Sequence, residues 1–212
     1  MTYAVKEAFY TLQGEGFHTG RPAIFLRFSG CNLWTGREAD RADAVCKFCD
    51  TDFAGIGPDG GKFESAEMLA LAMTSRWPVE REGGSRRFIV CTGGEPLLQL
   101  DGPALDALHA YGFEVAVETN GTIAALRGLD WICVSPKADA PLVQKSGDEL
   151  KLVFPQERGE PARFEQLDFA HFFLQPMDGP DVARNTQLAT QYCLSNPRWR
   201  LSTQTHKLIG LR

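Results

Sequence analysis

The chain has 212 residues, enough for one domain with a substantial core and too few for two full domains. With 43% apolar residues, 23% charged residues and a net charge of −5, it lacks the basic surface that nucleic acid requires. No apolar run is long enough to span a bilayer, and the start, Met1-Thr2-Tyr3-Ala4-Val5-Lys6, does not follow the layout of a signal peptide. A cytoplasmic, reducing location is therefore expected, with no membrane partner and with the six cysteines as thiols or metal ligands rather than disulfides.

Short β-rich runs alternate with helix-like stretches. The first strand is predicted at residues 23–28, followed by a helix over 65–76, a strand at 87–92 and a helix over 97–109. Strands follow at 113–118, 131–134, 150–154 and 171–175. A helix over 181–195 then covers the sheet, and a last strand candidate lies at 199–203. Strand alternating with helix is the pattern of a parallel sheet. The predicted strands hand over to small or polar clusters: Ser29-Gly30-Cys31, Thr92-Gly93-Gly94-Glu95-Pro96, Glu118-Thr119-Asn120-Gly121, Ser135-Pro136-Lys137 and Gln175-Pro176-Met177-Asp178. Parallel α/β barrels gather their chemistry at that end, and this chain is short for eight strands. The expected fold is α/β, a partial (open) TIM-like barrel of about six mainly parallel strands. It would form one domain over residues 1–212, with residues 29–52 as the loop holding a metal centre.

Cys31, Cys46 and Cys49 form a Cys-x14-Cys-x2-Cys array followed by Asp50 and Thr51. A [4Fe–4S] cluster needs four ligands, one per iron, so three thiolates leave one iron open to a ligand. The competing reading is a structural zinc site closed by His18 or His206, although neither histidine has knuckle-like spacing. A bare redox pair would leave Cys31 without a role. Asp50 and Thr51 offer hard oxygen atoms that Mg²⁺ accepts. In Thr92-Gly93-Gly94-Glu95-Pro96 the glycines permit close approach of a ligand to backbone, and Glu95 suits a cationic amine; taken alone, a plain strand-to-helix turn is the commoner explanation of the run. Cys91, Cys133 and Cys193 sit in apolar or helical contexts and read as core.

The triad together with Gly-Gly-Glu-Pro resembles the radical S-adenosylmethionine enzymes. The wide Cys31–Cys46 gap resembles one branch of the 7-carboxy-7-deazaguanine synthases. The opening run Phe9-Tyr10-Thr11-Leu12-Gln13-Gly14-Glu15-Gly16 is similar to the substrate motif of those synthases. The resemblance implies a [4Fe–4S] cluster on Cys31, Cys46 and Cys49, S-adenosylmethionine on its fourth iron, and Mg²⁺ at Thr51. It places adenosylmethionine against Phe48, Cys49, Asp50, Gly94, Glu95, Ser135, Pro136, Lys137, Gln175, Pro176, Met177 and Asp178. Substrate would meet Leu12, Gln13, Gly14, Glu15, Arg27 and Thr92, and, if the tail folds back over the barrel mouth, His206 and the terminal carboxylate of Arg212. Arg27 interrupts an apolar strand and needs an anion, either the substrate carboxylate or a buried side chain such as Glu118. The implied reaction converts 6-carboxy-5,6,7,8-tetrahydropterin to 7-carboxy-7-deazaguanine with loss of ammonia. It starts with hydrogen abstraction by a 5′-deoxyadenosyl radical, and adenosylmethionine is regenerated. A flavodoxin-like reductant and a homodimer belong to the same expectation. The alternatives are a glycyl-radical activating enzyme and a zinc-binding module without catalysis.

Overall fold

The computed structural model describes residues 2–78 and 86–212. Its first element is a strand absent from the sequence prediction, β1 (Tyr3–Leu12). Its inward–outward alternation is broken where the register slips between Val5 and Glu7. A bulge of this kind puts the apolar residues on either side of it out of phase, so the period-2 signal fades. There follow β2 (Pro22–Phe28), β3 (Gly61–Phe63), α1 (Ala66–Thr74), β4 (Arg87–Gly93), α2 (Gly102–Ala110), β5 (Phe113–Thr119), β6 (Trp131–Val134), β7 (Ser146–Phe154), β8 (Asp168–Pro176), α3 (Val182–Ser195), β9 (Trp199–Leu201) and the short α4 (Thr205–Leu208).

The nine strands form one sheet in the order β3-β1-β2-β4-β5-β6-β7-β8-β9, open at both ends of that order. β1 is antiparallel to β2 and β3, whereas every neighbouring pair from β2 to β9 is parallel. The six longer predicted strands are β2 and β4 to β8, and the fold is the expected open, TIM-like α/β arrangement. The stretch between the triad and β4, expected to be partly loop, carries the helix predicted over 65–76 as α1 and, in addition, the unpredicted β3. The helix predicted over 97–109 begins later than the sequence suggests. Pro96–Leu98 forms a single 3₁₀ turn, and α2 starts at Gly102, where the Asp101 side chain accepts from Ala104 N. Ser65 caps α1 in the same way through Met68 N.

Alternation along the strands separates the two sheet faces. Ile24, Leu26, Ile89, Cys91, Val115 and Val117 point outward into the larger core beneath α1 and α2. Leu150, Leu152, Phe172 and Leu174 pack with Trp199 and Ala189 of α3. The residues between them face inward, and the register aligns them. Glu7 lies opposite Arg27 and Arg27 beside Thr92. Glu118 lies beside Cys133, Cys133 beside Glu149, and Glu149 beside His171. Cys91 and Cys133 are buried in the core as expected, Cys133 on the inward row, and Cys193 packs at the edge of the second cluster. Among the described residues, no helix is long and apolar enough to cross a membrane.

Candidate active site

The carboxyl ends of the parallel strands open into a cavity of ≈450 Å³. The Gly30–Cys31 turn after β2 delivers the first cysteine, and the loop that follows brings Cys46 and Cys49 to the same wall. Trp34, Ala44 and Phe53 form a small apolar cluster against which Cys31 and Cys49 pack. The fourteen residues between Cys31 and Cys46 thus fold into a support for the triad. Leu33 N donates to Cys31 Sγ at 3.4 Å. Interaction between the two thiols of the close pair pushes the Cys46 thiol up and draws Cys49 down to about 6. Cys91, Cys133 and Cys193 do not line this cavity. Among the described residues, no three His, Cys, Asp or Glu side chains are arranged to hold a single metal ion. A closed tetrahedral zinc site would need such a convergence. Three thiolates on one wall, each free to take a different iron, fit a [4Fe–4S] cluster better.

The glycines after β4 have a different use from the one expected of them. A Cβ on Gly94 would lie 2.2 Å from Gly30 O, and one on Gly93, at φ +149°, would lie 2.3 Å from Phe28 O. The bare backbone therefore lets two strand ends pack side by side, with Glu95 N donating to Gly30 O at 3.0 Å. Gly94 lines the cavity, but Glu95 does not. The Glu95 carboxylate is fully buried and accepts from Thr119 Oγ1 at 2.8 and 2.9 Å, Asn120 N at 2.8 Å and Leu97 N at 3.0 Å. In this arrangement its side chain fixes the end of β5 instead of reaching an amine. Pro136 is likewise off the cavity wall, while its neighbours Ser135 and Lys137 line it. Lys137 Nζ donates to Ser135 O at 2.8 Å and to Ser135 Oγ at 2.7 Å. Phe48, Asp50, Gln175, Pro176, Met177 and Asp178 complete this side of the wall.

The loop after β1 lines the same cavity. Leu12, Gln13, Gly14 and Glu15 line the cavity with Arg27 and Thr92. Arg27 Nε is held by Glu7 Oε1 at 2.9 Å, so its structural partner is Glu7 and not Glu118. Glu118 instead accepts from Gln13 Nε2 at 2.9 Å and from Lys151 Nζ at 3.2 Å. Lys151 Nζ also reaches Glu15 Oε2 at 2.7 Å. Sequence reasoning passed over Lys151, although Leu150-Lys151-Leu152, a charge inside an apolar strand, is the same signal that marked Arg27.

The tail that follows β9 packs against the loop after β1. Ser202 Oγ accepts from Gly16 N, Gln204 Nε2 donates to Glu15 Oε1, and Thr205 N donates to Gly14 O. His206 lines the cavity with its Nδ1 against Gly14, where a Cβ would come within 2.0 Å. Lys207 pairs with Asp50 at 2.8 Å and Asp178 at 2.5 Å. Arg212 also lines the cavity, but its guanidinium is committed to Glu7 and Asp59, and its backbone oxygen accepts from Thr11 Oγ1. With Asp50 paired to Lys207, Thr51 is the oxygen group of the Asp-Thr pair whose side chain makes no hydrogen bond to a described residue.

No family model matches the chain. Individual relatives do: it is 66% identical over its full length to the 7-carboxy-7-deazaguanine synthase of Caulobacter vibrioides, and 59% identical to that of Burkholderia multivorans, with all of each relative covered. The chain belongs to the 7-carboxy-7-deazaguanine synthase family. The crystal structure of QueE from Escherichia coli superposes with a TM-score of 0.71 at 30% identity, covering 97% of this chain and 95% of that one. Membership makes the protein a radical S-adenosylmethionine enzyme and sets aside both the glycyl-radical activating enzyme and the zinc module.

Proposed function

We propose that this synthase is a carbon–nitrogen lyase that converts 6-carboxy-5,6,7,8-tetrahydropterin to 7-carboxy-7-deazaguanine with release of ammonia, through one radical S-adenosylmethionine domain over residues 1–212. The observation that carries the reading is that the cysteine triad and the opening motif face one cavity together with Ser135, Lys137 and Gln175 to Asp178 from the far half of the chain. Cys31, Cys46 and Cys49 would hold a [4Fe–4S] cluster that, with adenosylmethionine bound, would supply the radical chemistry for hydrogen abstraction from C6 of the pterin.

The chain's own work is binding, orientation and exclusion of water. The wall of Phe48, Asp50, Gly94, Ser135, Lys137 and Gln175 to Asp178 receives the cofactor, and Glu95 holds that wall in place. Arg27 offers its guanidinium to the substrate carboxylate, the planar recognition for which arginine is suited. Gln13 and Glu15 meet the polar edge of the ring, Thr92 lies beside Arg27, and His206 closes from the tail. Thr51 is the side-chain ligand assigned to Mg²⁺, which would polarise the substrate. A flavodoxin-like reductant, a homodimer and work in the reducing cytoplasm complete the proposal and rest on the family resemblance.

Anaerobic turnover of the reconstituted protein with 6-carboxytetrahydropterin, adenosylmethionine, Mg²⁺ and reductant, followed by mass spectrometry, tests it. The deazaguanine product is expected, and its absence with cleaved adenosylmethionine present would overturn the substrate assignment.

A further inference from the structure

Lining the same cavity is a charge cluster centred on Lys151, a residue to which no role has been assigned. Lys151, on the inward face of β7, is buried. Its ammonium bridges two carboxylates from different parts of the chain, Glu15 at 2.7 Å and Glu118 at 3.2 Å. Gln13 donates to the same Glu118 oxygen, and Gln204 from the tail donates to the second oxygen of Glu15. One cation thus joins the loop after β1, strand β5, strand β7 and, through Glu15, the tail. Cys133 and Glu149 flank Lys151 from β6 and β7, and His206 faces Glu15 from the tail.

Two carboxylates this near one another repel unless a cation lies between them. Only ionised carboxylates are pure hydrogen-bond acceptors, suited to the N–H groups of an aminopyrimidinone edge. We infer that Lys151 is a positioning residue for substrate: its charge keeps Glu15 and Glu118 together as an acceptor pair that receives the N–H edge of the pterin. The inference rests on the proposed substrate assignment.

Burial acts on Glu15 most strongly and upward, but the field and hydrogen bond of Lys151, with Gln204 and His206, outweigh it and hold the carboxyl down to about 2. Without Lys151 the burial effect is unopposed by its main counterweight. The carboxyl then takes up a proton at higher pH and becomes a donor where an acceptor is needed.

The test compares unsubstituted protein, Lys151→Met and Lys151→Arg after anaerobic reconstitution. Iron content and substrate-free adenosylmethionine cleavage are measured alongside KM and kcat for 6-carboxytetrahydropterin across the pH range. Lys151→Met is expected to raise KM about tenfold or more near neutral pH, with the loss deepening as pH falls. Its iron content and substrate-free cleavage should be retained, and Lys151→Arg should recover much of the loss. A KM and pH profile in Lys151→Met matching the unsubstituted protein would overturn the inference, as would an equal loss in Lys151→Arg. If Lys151→Met does not fold, carbon-13 observation of Glu15 in the unsubstituted protein decides: no titration is expected from about pH 5 to 8, and a titration there overturns the inference. Failure of the unsubstituted protein to make product would instead count against the substrate assignment.

Discussion

At the residue scale, side chains expected to act alone are held by partners the sequence did not name. Glu7 restrains Arg27 by its Nε, leaving Glu118 to Gln13 and Lys151. Glu95 is saturated by Thr119, Asn120 and Leu97. The cysteines differ in this respect, because their neighbours are apolar supports and two backbone amides. Each thiolate would hold its own iron, so none substitutes for another. Cys31→Ala is expected to lose the cluster as completely as Cys46→Ala or Cys49→Ala, read as iron and sulfide per chain after reconstitution. A full cluster in Cys31→Ala would mean that the triad is wrongly drawn.

At the element scale, the active end of the barrel depends on two strand ends meeting without side chains between them. The close approach of Gly94 to Gly30 O is a contact with backbone, which cannot swing aside as a flexible side chain can. Gly94→Ala is therefore expected to destabilise the protein by about 2 kcal/mol or more, as overpacking does, and to reduce cluster occupancy because Cys31 is the residue next to Gly30. Denaturant midpoints and iron content check both effects. Gly14→Ala differs in kind: its Cβ would meet the His206 side chain, 2.0 Å from Nδ1 and 2.8 Å from Cβ, so the short tail helix that carries His206 must shift along with the ring. Its cost falls on substrate binding more than on stability.

At the scale of the whole molecule, the sheet formed by the described residues ends at β3 and β9, and the tail after β9 fastens to the loop after β1. The tail is fastened mainly by hydrogen bonds and ion pairs at partly exposed sites, while Leu208 and Ile209 remain exposed. Exposed ion pairs contribute little to stability individually, so the tail adds closure more than fold. Removing residues 205–212 is expected to leave the sheet folded and the iron content intact while raising KM for the pterin about tenfold or more. Circular dichroism, iron analysis and steady-state kinetics read the three effects, and an unchanged KM would show that the tail is not part of the substrate site.

The order of elements, the parallel series and the residues gathered at the strand ends were legible in the sequence, because period-2 burial and the spacing of Cys31, Cys46 and Cys49 are local signals. β1 was hidden because a bulge breaks its alternation, and the early start given to α2 came from reading a 3₁₀ turn as helix. What only the tertiary structure decided is who faces whom. The pairing of Arg27 with Glu7, the capture of Glu95 by β5, and Lys151 between Glu15 and Glu118 all join residues distant in the chain. Strand register and the path of the tail bring them together, and neither leaves a mark in local sequence.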